Sequence, residues 1–351
     1  MDFTIDDEQR ALRDAVRDMA SRFAPPEERD KVPTGPRAHD AKAWTALAEM
    51  GLLGLPFAED AGGMDATAVE VVLAAAELGK ARVQTAYGEA LVAASLLAAA
   101  GDQKALLEKV IDGSALVLPA FAEPMRAWAP HDPSVTASGG SLSGVKAPVP
   151  IAEVDAVLVT ACEGDQTGVY LVDSPQVSDG ALKLDGTAAT KLNVSADDLD
   201  AALNLGIVAL AGEALGAMDA ALAMTVDYLK TRKQFGVPLM TFQTLTQRAA
   251  DMYVSVELAR STVLYGAMTL AERPSDNATA SRVKVLTGRT GRHVGQEAIQ
   301  LHGGIGMTAE YAVGHYTTRL TAIEHTFGDT RYHLGQLARD VSDHAEVDVF
   351  A

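Results

Sequence analysis

The order of residue patterns along the chain predicts a mainly helical α+β fold in three parts. Two observations predict it. Long stretches with apolar residues at helical spacing fill both ends of the sequence, and short β-prone runs separated by turn residues fill the middle. The boundaries fall at 1–112 for a first helical domain, 113–197 for a β domain and 198–351 for a second helical domain.

In the first part, Leu12, Ala15, Val16 and Met19 share one helical face in the stretch from Asp6, while Glu8, Arg10, Arg13 and Asp14 fill other faces. Pro25, Pro26, Pro33 and Pro36 mark a long connection. A helix is expected over 41–50, stopped by Gly51. The Ala- and Leu-rich stretches 66–80 and 87–100 read as buried helices, with Gly101 as a stop. The middle part offers 115–119, 134–137, 156–160 and 169–172 as strands, with Gly139-Gly140 and Glu163-Gly164-Asp165 as turns between them. That spacing suits a small barrel or sandwich. The stretches 200–230, 241–272, 276–301 and 330–345 then give long helices in succession, the pattern of an antiparallel bundle.

Composition narrows the partners. The formal net charge of −18 repels duplex nucleic acid and anionic membranes. The lone Cys162 rules out an intrachain disulfide and a multi-cysteine metal site, and no histidines stand at ligand spacing, so no metal is expected. The opening MDFTIDDEQR is acidic where a signal peptide needs a basic region. The apolar stretch 69–100 is broken by Glu70, Glu77, Lys80, Arg82 and Glu89, which excludes a membrane helix there. A cytoplasmic protein is the expectation.

Two local sequences carry chemistry. The first is Arg232-Lys233-Gln234-Phe235-Gly236-Val237-Pro238, followed by Thr241-Phe242-Gln243. It sits at a predicted helix end, where Gly236 permits a left-handed turn and Pro238 stops the helix from resuming. A permanent guanidinium beside an amide and an aromatic ring suits a phosphate and a flat heterocycle. The second is Gln300-Leu301-His302-Gly303-Gly304-Ile305-Gly306, followed by Glu310-Tyr311, whose glycines allow close backbone approach to a ligand. Each alone has a plainer account, since Arg complements a helix C-terminus and Gly-Gly ends helices. His302 is read first as a packing histidine.

Together, in this order and domain plan, the motifs resemble those of the acyl-CoA dehydrogenase family over nearly the whole chain. The resemblance implies FAD as cofactor. It also implies that Arg232, Gln234, Phe235, Phe242, Gln243, Gln300, Gly303 and Gly304 hold the adenosine diphosphate half of a flavin whose ring sits in the neighbouring subunit. Members of that family dehydrogenate an acyl-CoA thioester, a carboxylate taking the α-proton as the β-hydrogen leaves as hydride to the flavin, and generally hand the electrons to an electron-transfer flavoprotein.

The pattern breaks at the reacting centre. Where the family places a glutamate downstream of Gly-Gly, this chain reads Thr326-Phe327-Gly328-Asp329, with Phe327 at the base position. Where some members carry the base on the first helix of the last domain, just before an arginine, Gly206 and Ile207 stand. Neither position offers a proton acceptor. The family's Thr-Glu-Pro is Ala122-Glu123-Pro124 here, followed by Met125-Arg126-Ala127, and its Trp-Ile-Thr falls on Pro148-Val149-Pro150.

Losses therefore cluster where ring and substrate bind, while the adenosine-side residues survive. Heteromeric members with one degenerate chain occur in actinobacterial steroid and lipid catabolism. Resemblance to that arrangement implies a non-catalytic subunit of an α2β2 assembly, partnered by a homologous catalytic chain. Two other readings stand beside it. One is an active homo-oligomer with a relocated base, Asp329 or Glu213, set against plain roles as a loop carboxylate bound to backbone and a buried carboxylate paired with a cation. The other is a non-enzymatic scaffold. Trp128 and Met125 are candidates for an acyl-facing wall or for simple loop packing.

Overall fold

The computed structural model describes residues 5–25, 39–339 and 341. The first domain holds α1 (Asp7–Ser21), α2 (Ala41–Glu49), α3 (Ala68–Lys80), α4 (Tyr87–Ala100) and α5 (Lys104–Ile111). Asp6 caps α1 and Thr67 caps α3, each in a reciprocal capping box with Gln9 and Glu70. On α1 the inward face is Val16, Met19 and Ala20, with Leu12 half-buried. Ala15, expected on that face, is exposed. Gly51 and Gly101 take left-handed backbone just past the ends of α2 and α4. The short α5 falls within the expected helical domain but was not resolved as an element by pattern. Pro26, Pro33 and Pro36 lie outside the described residues.

The middle domain is one curled sheet of β1 (Val117–Pro119), β2 (Thr136–Ser138), β3 (Ser141–Lys146), β4 (Ala156–Glu163), β5 (Gln166–Asp173), β6 (Val177–Ser178), β7 (Ala181–Ala188) and β8 (Thr190–Lys191). Strand order is β6-β7-β3-β2-β4-β5-β8, and β1 pairs in parallel with β4. The unbroken apolar run of β4 follows from burial on both faces. Ala156 and Leu158 join the helical core, while Val157, Val159 and Ala161 join the core of the sheet module. Period-two alternation thus sorts one strand between two cores.

The last domain begins with α6 (Ala196–Thr231), capped by Ser195, followed by a hairpin of β9 (Lys233–Gln234) and β10 (Val237–Pro238). Then come α7 (Gln243–Glu272), α8 (Asn277–His302), α9 (Ala312–His325) and α10 (Thr330–Arg339). Helix α9 was not anticipated, and residues 340 and 342–345 of the expected 330–345 helix lie outside the described residues. The chain's one helix apolar enough to span a bilayer, among the described residues, is α6 and not the 69–100 stretch. Its mean hydropathy over the relevant window is 1.6, but 67% of that window is buried in the fold. Helix α3 crosses it in backbone contact: a Cβ at Gly216 would lie 1.8 Å from the Ala76 carbonyl oxygen, and one at Gly79 would lie 2.0 Å from that of Glu213. Apolar α6 is the protein's central beam.

Candidate functional site

A cavity of about 700 Å³ opens where the sheet module meets α9 and the turn after it. Phe121–Met125, Trp128 and Ala147–Pro150 form one wall, and Arg319, Ala322 and His325–Phe327 form the other. The residues at the family's ring-binding positions, Ala122 and Pro148-Val149-Pro150, therefore share one cavity, as do Trp128 and Met125. Between Ala147 and Pro150 no backbone donor is left for a ligand. The Ala147 N–H donates to the Ala122 carbonyl at 2.9 Å, the Val149 N–H donates to the Gly180 carbonyl at 2.7 Å, and the two prolines have none. Glu123, under this wall, is an ionised structural group. Burial would raise its carboxyl, but Lys146 at 2.7 Å and Ser134 hold it at about 2.

The two vacant base positions touch each other. A Cβ on Gly206 would meet Val92 Cγ2 at 2.3 Å and the Phe327 ring at 2.9 Å. The Phe327 ring, buried, occupies the space a side chain at 206 would need. Trp128 flanks it, ring centroids 6.0 Å apart, and the pair separates the large cavity from a pocket of about 130 Å³ that reaches His131 and Asp200.

The turn carrying Phe327 is bolted from behind. Phe327 and Gly328 both have positive φ, 58° and 89°. The Phe327 carbonyl can only accept, so His333 Nε2 at 2.9 Å carries the proton, and Nδ1 accepts from Ser281 Oγ at 3.0 Å. Burial pushes His333 down to about 4, which keeps this neutral tautomer. Lys284, fully enclosed and pushed by burial down to about 7, donates to the Ile323 and Thr326 carbonyls, each at 2.5 Å.

Neither fallback base lines the cavity. Glu213 is gripped by Arg319 through two bonds of 2.6 and 2.7 Å. Burial would depress the Arg319 guanidinium, but Glu213 and then Glu89 hold it above its ordinary value, so it stays charged. Asp329 accepts from the Tyr332 N–H at 2.8 Å, at the start of α10. The carboxylate of the first helical domain that does reach the cavity is Glu89, on α4, 3.9 Å from Arg319. In the sequence Glu89 stands out only as an interruption of an apolar stretch, and Arg319 falls in no motif. The available signal is a single charged residue in the first turn of a helix otherwise rich in Ala and Leu.

The adenosine-side residues lie elsewhere, and none of the eight lines the cavity. The β9–β10 hairpin turns on Phe235 and Gly236, both with positive φ (54° and 84°), a two-residue loop that matches strand twist. This aims Phe235 outward, 92% exposed, edge-on to Phe242 at 6.1 Å. Tyr228 on the last turn of α6 stacks on His302 at 4.5 Å, which brings Arg232 and Gly303-Gly304 to the same end of the bundle. His302 itself is buried, bonded through Nδ1 to the Ala298 carbonyl at 2.7 Å and flanked by Tyr311, as a packing histidine would be. Arg232, Gln234, Gln243, Gln300, Gly303 and Gly304 are exposed and Phe242 is half-buried. An apolar stripe on α7 (Tyr253, Val254, Leu258 and Tyr265) lies open on the same domain. Among the described residues no three His, Cys, Asp or Glu side chains gather as a metal site.

Residues 6–114 match the acyl-CoA dehydrogenase N-terminal domain family and residues 198–342 its C-terminal domain family. The acyl-CoA dehydrogenase FadE28 of Mycobacterium tuberculosis is 30% identical over 95% of this chain and 97% of its own length. A solved structure of the Tcur3481-Tcur3483 steroid ACAD, G363A variant, superposes with a TM-score of 0.84 at 29% identity, covering 96% of this chain and 98% of that one. The ChsE4-ChsE5 complex of M. tuberculosis has the same fold, with a TM-score of 0.84 at 23% identity over 99% of this chain and 100% of the other.

Proposed function

The chain belongs to the acyl-CoA dehydrogenase family, and within it we propose that this is the non-catalytic subunit of a two-component, FAD-dependent acyl-CoA dehydrogenase. The observation that carries the reading is a one-sided loss. The adenosine-side set stands exposed at one end of the bundle, while the ring-side positions line a cavity with no free N–H between Ala147 and Pro150, and Phe327 and Gly206 stand at the base positions. A chain with the first set and without the second serves a flavin seated in another subunit.

The residues fit that role on one side and not on the other. Exposed Arg232, Gln234, Phe235 and Gln243, with the Gln300 and Gly303-Gly304 turn, would hold the diphosphate and adenosine of a flavin seated in a catalytic partner. The cavity wall 147–150 has no donor for a flavin ring, and no carboxylate occupies either base position. The partner's flavin would supply hydride acceptance. Acyl-CoA would be the substrate of the assembly and an electron-transfer flavoprotein its oxidant. The open α7 stripe suits a homologous chain, and the relative at 29% identity is a steroid enzyme named for two components.

Flavin content tests this. The chain produced alone should be colourless, and co-produced with a fuller homologue it should yield about one FAD for every two chains. A yellow lone chain with one FAD per subunit that bleaches with an acyl-CoA would overturn the reading, and Glu89 would then be the first carboxylate to replace.

A further inference from the structure

We propose that the 700 Å³ cavity of this chain is a non-catalytic binding site for a neutral, flat, apolar ligand, and that it rejects the flavin ring whose family position it occupies. The inference rests on the subunit reading only in assigning the flavin to the partner. Volume comes first: it lies within the roughly 300–1,000 Å³ of small-molecule sites. Lining comes second. Phe121, Pro124, Trp128, Pro148, Val149 and Phe327 surround it, and the ring pair Trp128–Phe327 closes its floor. These are surfaces that gain from covering another apolar face.

Polarity decides the ligand class. A flavin ring carries donors and acceptors along one edge and loses free energy when buried against a wall that cannot answer them. The 147–150 wall has no N–H for the flavin's acceptors, since its two N–H groups are already spent on Ala122 and Gly180 and its prolines have none. A neutral hydrocarbon ring system asks for no such partners. Ions are disfavoured for a separate reason. Two sets of charges at the wall already answer one another, Arg319 with Glu213, and Glu123 with Lys146 and Arg126. Anions meet in addition the carboxylate of Asp179 at the rim.

Trp128 is a built-in reporter, because the chain has only two tryptophans and the other, Trp44, is buried in the first domain. In a Trp44→Phe background, three probes are titrated: neutral N-phenyl-1-naphthylamine, its anionic relative anilinonaphthalene sulfonate, and lumiflavin. The protein is used in whichever form purifies, alone or with its partner. The neutral probe should saturate, take energy from Trp128 and bind at least tenfold tighter than either of the others. Ala122→Phe, which fills the cavity, should weaken it at least tenfold. Ala322→Phe at the exposed rim should do the same if the first variant unfolds. Glu108→Gln on the exposed face of α5 should change nothing.

Tighter binding of lumiflavin or of the sulfonate overturns the proposal. So does neutral-probe binding that ignores a folded Ala122→Phe or Ala322→Phe, or that disappears with Glu108→Gln. None of these readouts depends on flavin stoichiometry, so the ligand site and the subunit reading fail separately.

Discussion

The wall of the cavity and the outward end of the bundle treat polar groups in opposite ways. At and behind the cavity wall, donors and charges are answered inside the chain: Arg319 by Glu213, Lys146 by Glu123, His333 by Phe327 and Ser281, and the 147 and 149 amides by neighbouring carbonyls. At the hairpin, Arg232, Gln234 and Gln243 lie open, and Phe235 is presented to solvent on a left-handed backbone. A non-glycine residue in that conformation costs about 1 kcal/mol, and here the tight hairpin that imposes it also holds the ring out in solvent. The contrast teaches where each region's function lies. One is closed upon itself, and on the proposed reading the other is completed by a second chain.

If so, substitutions in the cavity should cost stability, and substitutions at the hairpin should cost association. The largest effect belongs to Arg319→Met. It leaves Glu213 and Glu89 as buried carboxylates without their shared cation, and breaking such a pair typically costs about 3–5 kcal/mol. Denaturant unfolding measures it. A loss below about 1 kcal/mol would mean the triad is far wetter than its burial indicates, and the comparison would weaken at its strongest point.

A smaller effect is expected from acid. His333 is held neutral with a folded value of about 4 against about 6.5 when unfolded. The unfolded chain therefore binds the extra proton first, so the stability is fully present above about pH 6.5 and is lost as pH falls towards 4. The 2.5-unit gap corresponds to roughly 3 kcal/mol. His333→Gln should flatten that part of the stability–pH profile, whatever it costs at neutral pH. An unchanged acid slope would show that the Phe327 turn is not bolted through this ring.

Much of this was legible in the sequence, and the exceptions have physical causes. Helices α6, α7 and α8 were found within a few residues because long apolar periodicity is a strong signal. Helix α9 was not. Gly314 and the β-branched Thr317, Thr318 and Thr321 argue against helix, yet in place each threonine hydroxyl bonds the carbonyl four residues back. Strands β3 and β7 were hidden for the converse reason: Ser, Gly, Lys and Asp outnumber their few inward residues, such as Leu142, Leu182 and Leu184. At the site, motif residues were legible because their spacing is local. The Glu89–Arg319–Glu213 triad was not, because it joins α4, α6 and α9 across more than two hundred positions. Nor could the sequence show that Gly206 and Phe327, two separate absences on the page, fill one space.

The smallest effect on the fold should come from the hairpin, and it sharpens the comparison most. Phe235→Ser and Arg232→Gln touch no buried group, and Phe235 makes its one ring contact with Phe242 on the surface. Exposed positions of this kind usually change stability by less than about 0.5 kcal/mol, so the Tm of the isolated chain should hold. Flavin retention by the assembly should not. Removing a charge-assisted contact to a phosphate weakens binding by about tenfold or more, so Arg232→Gln should release FAD on dilution or gel filtration where the parent assembly keeps it. Phe235→Ser should show the same direction with a smaller step. An assembly that keeps its flavin through both changes would leave the exposed phenylalanine without a purpose, and the outward end of the bundle would then be inherited shape alone.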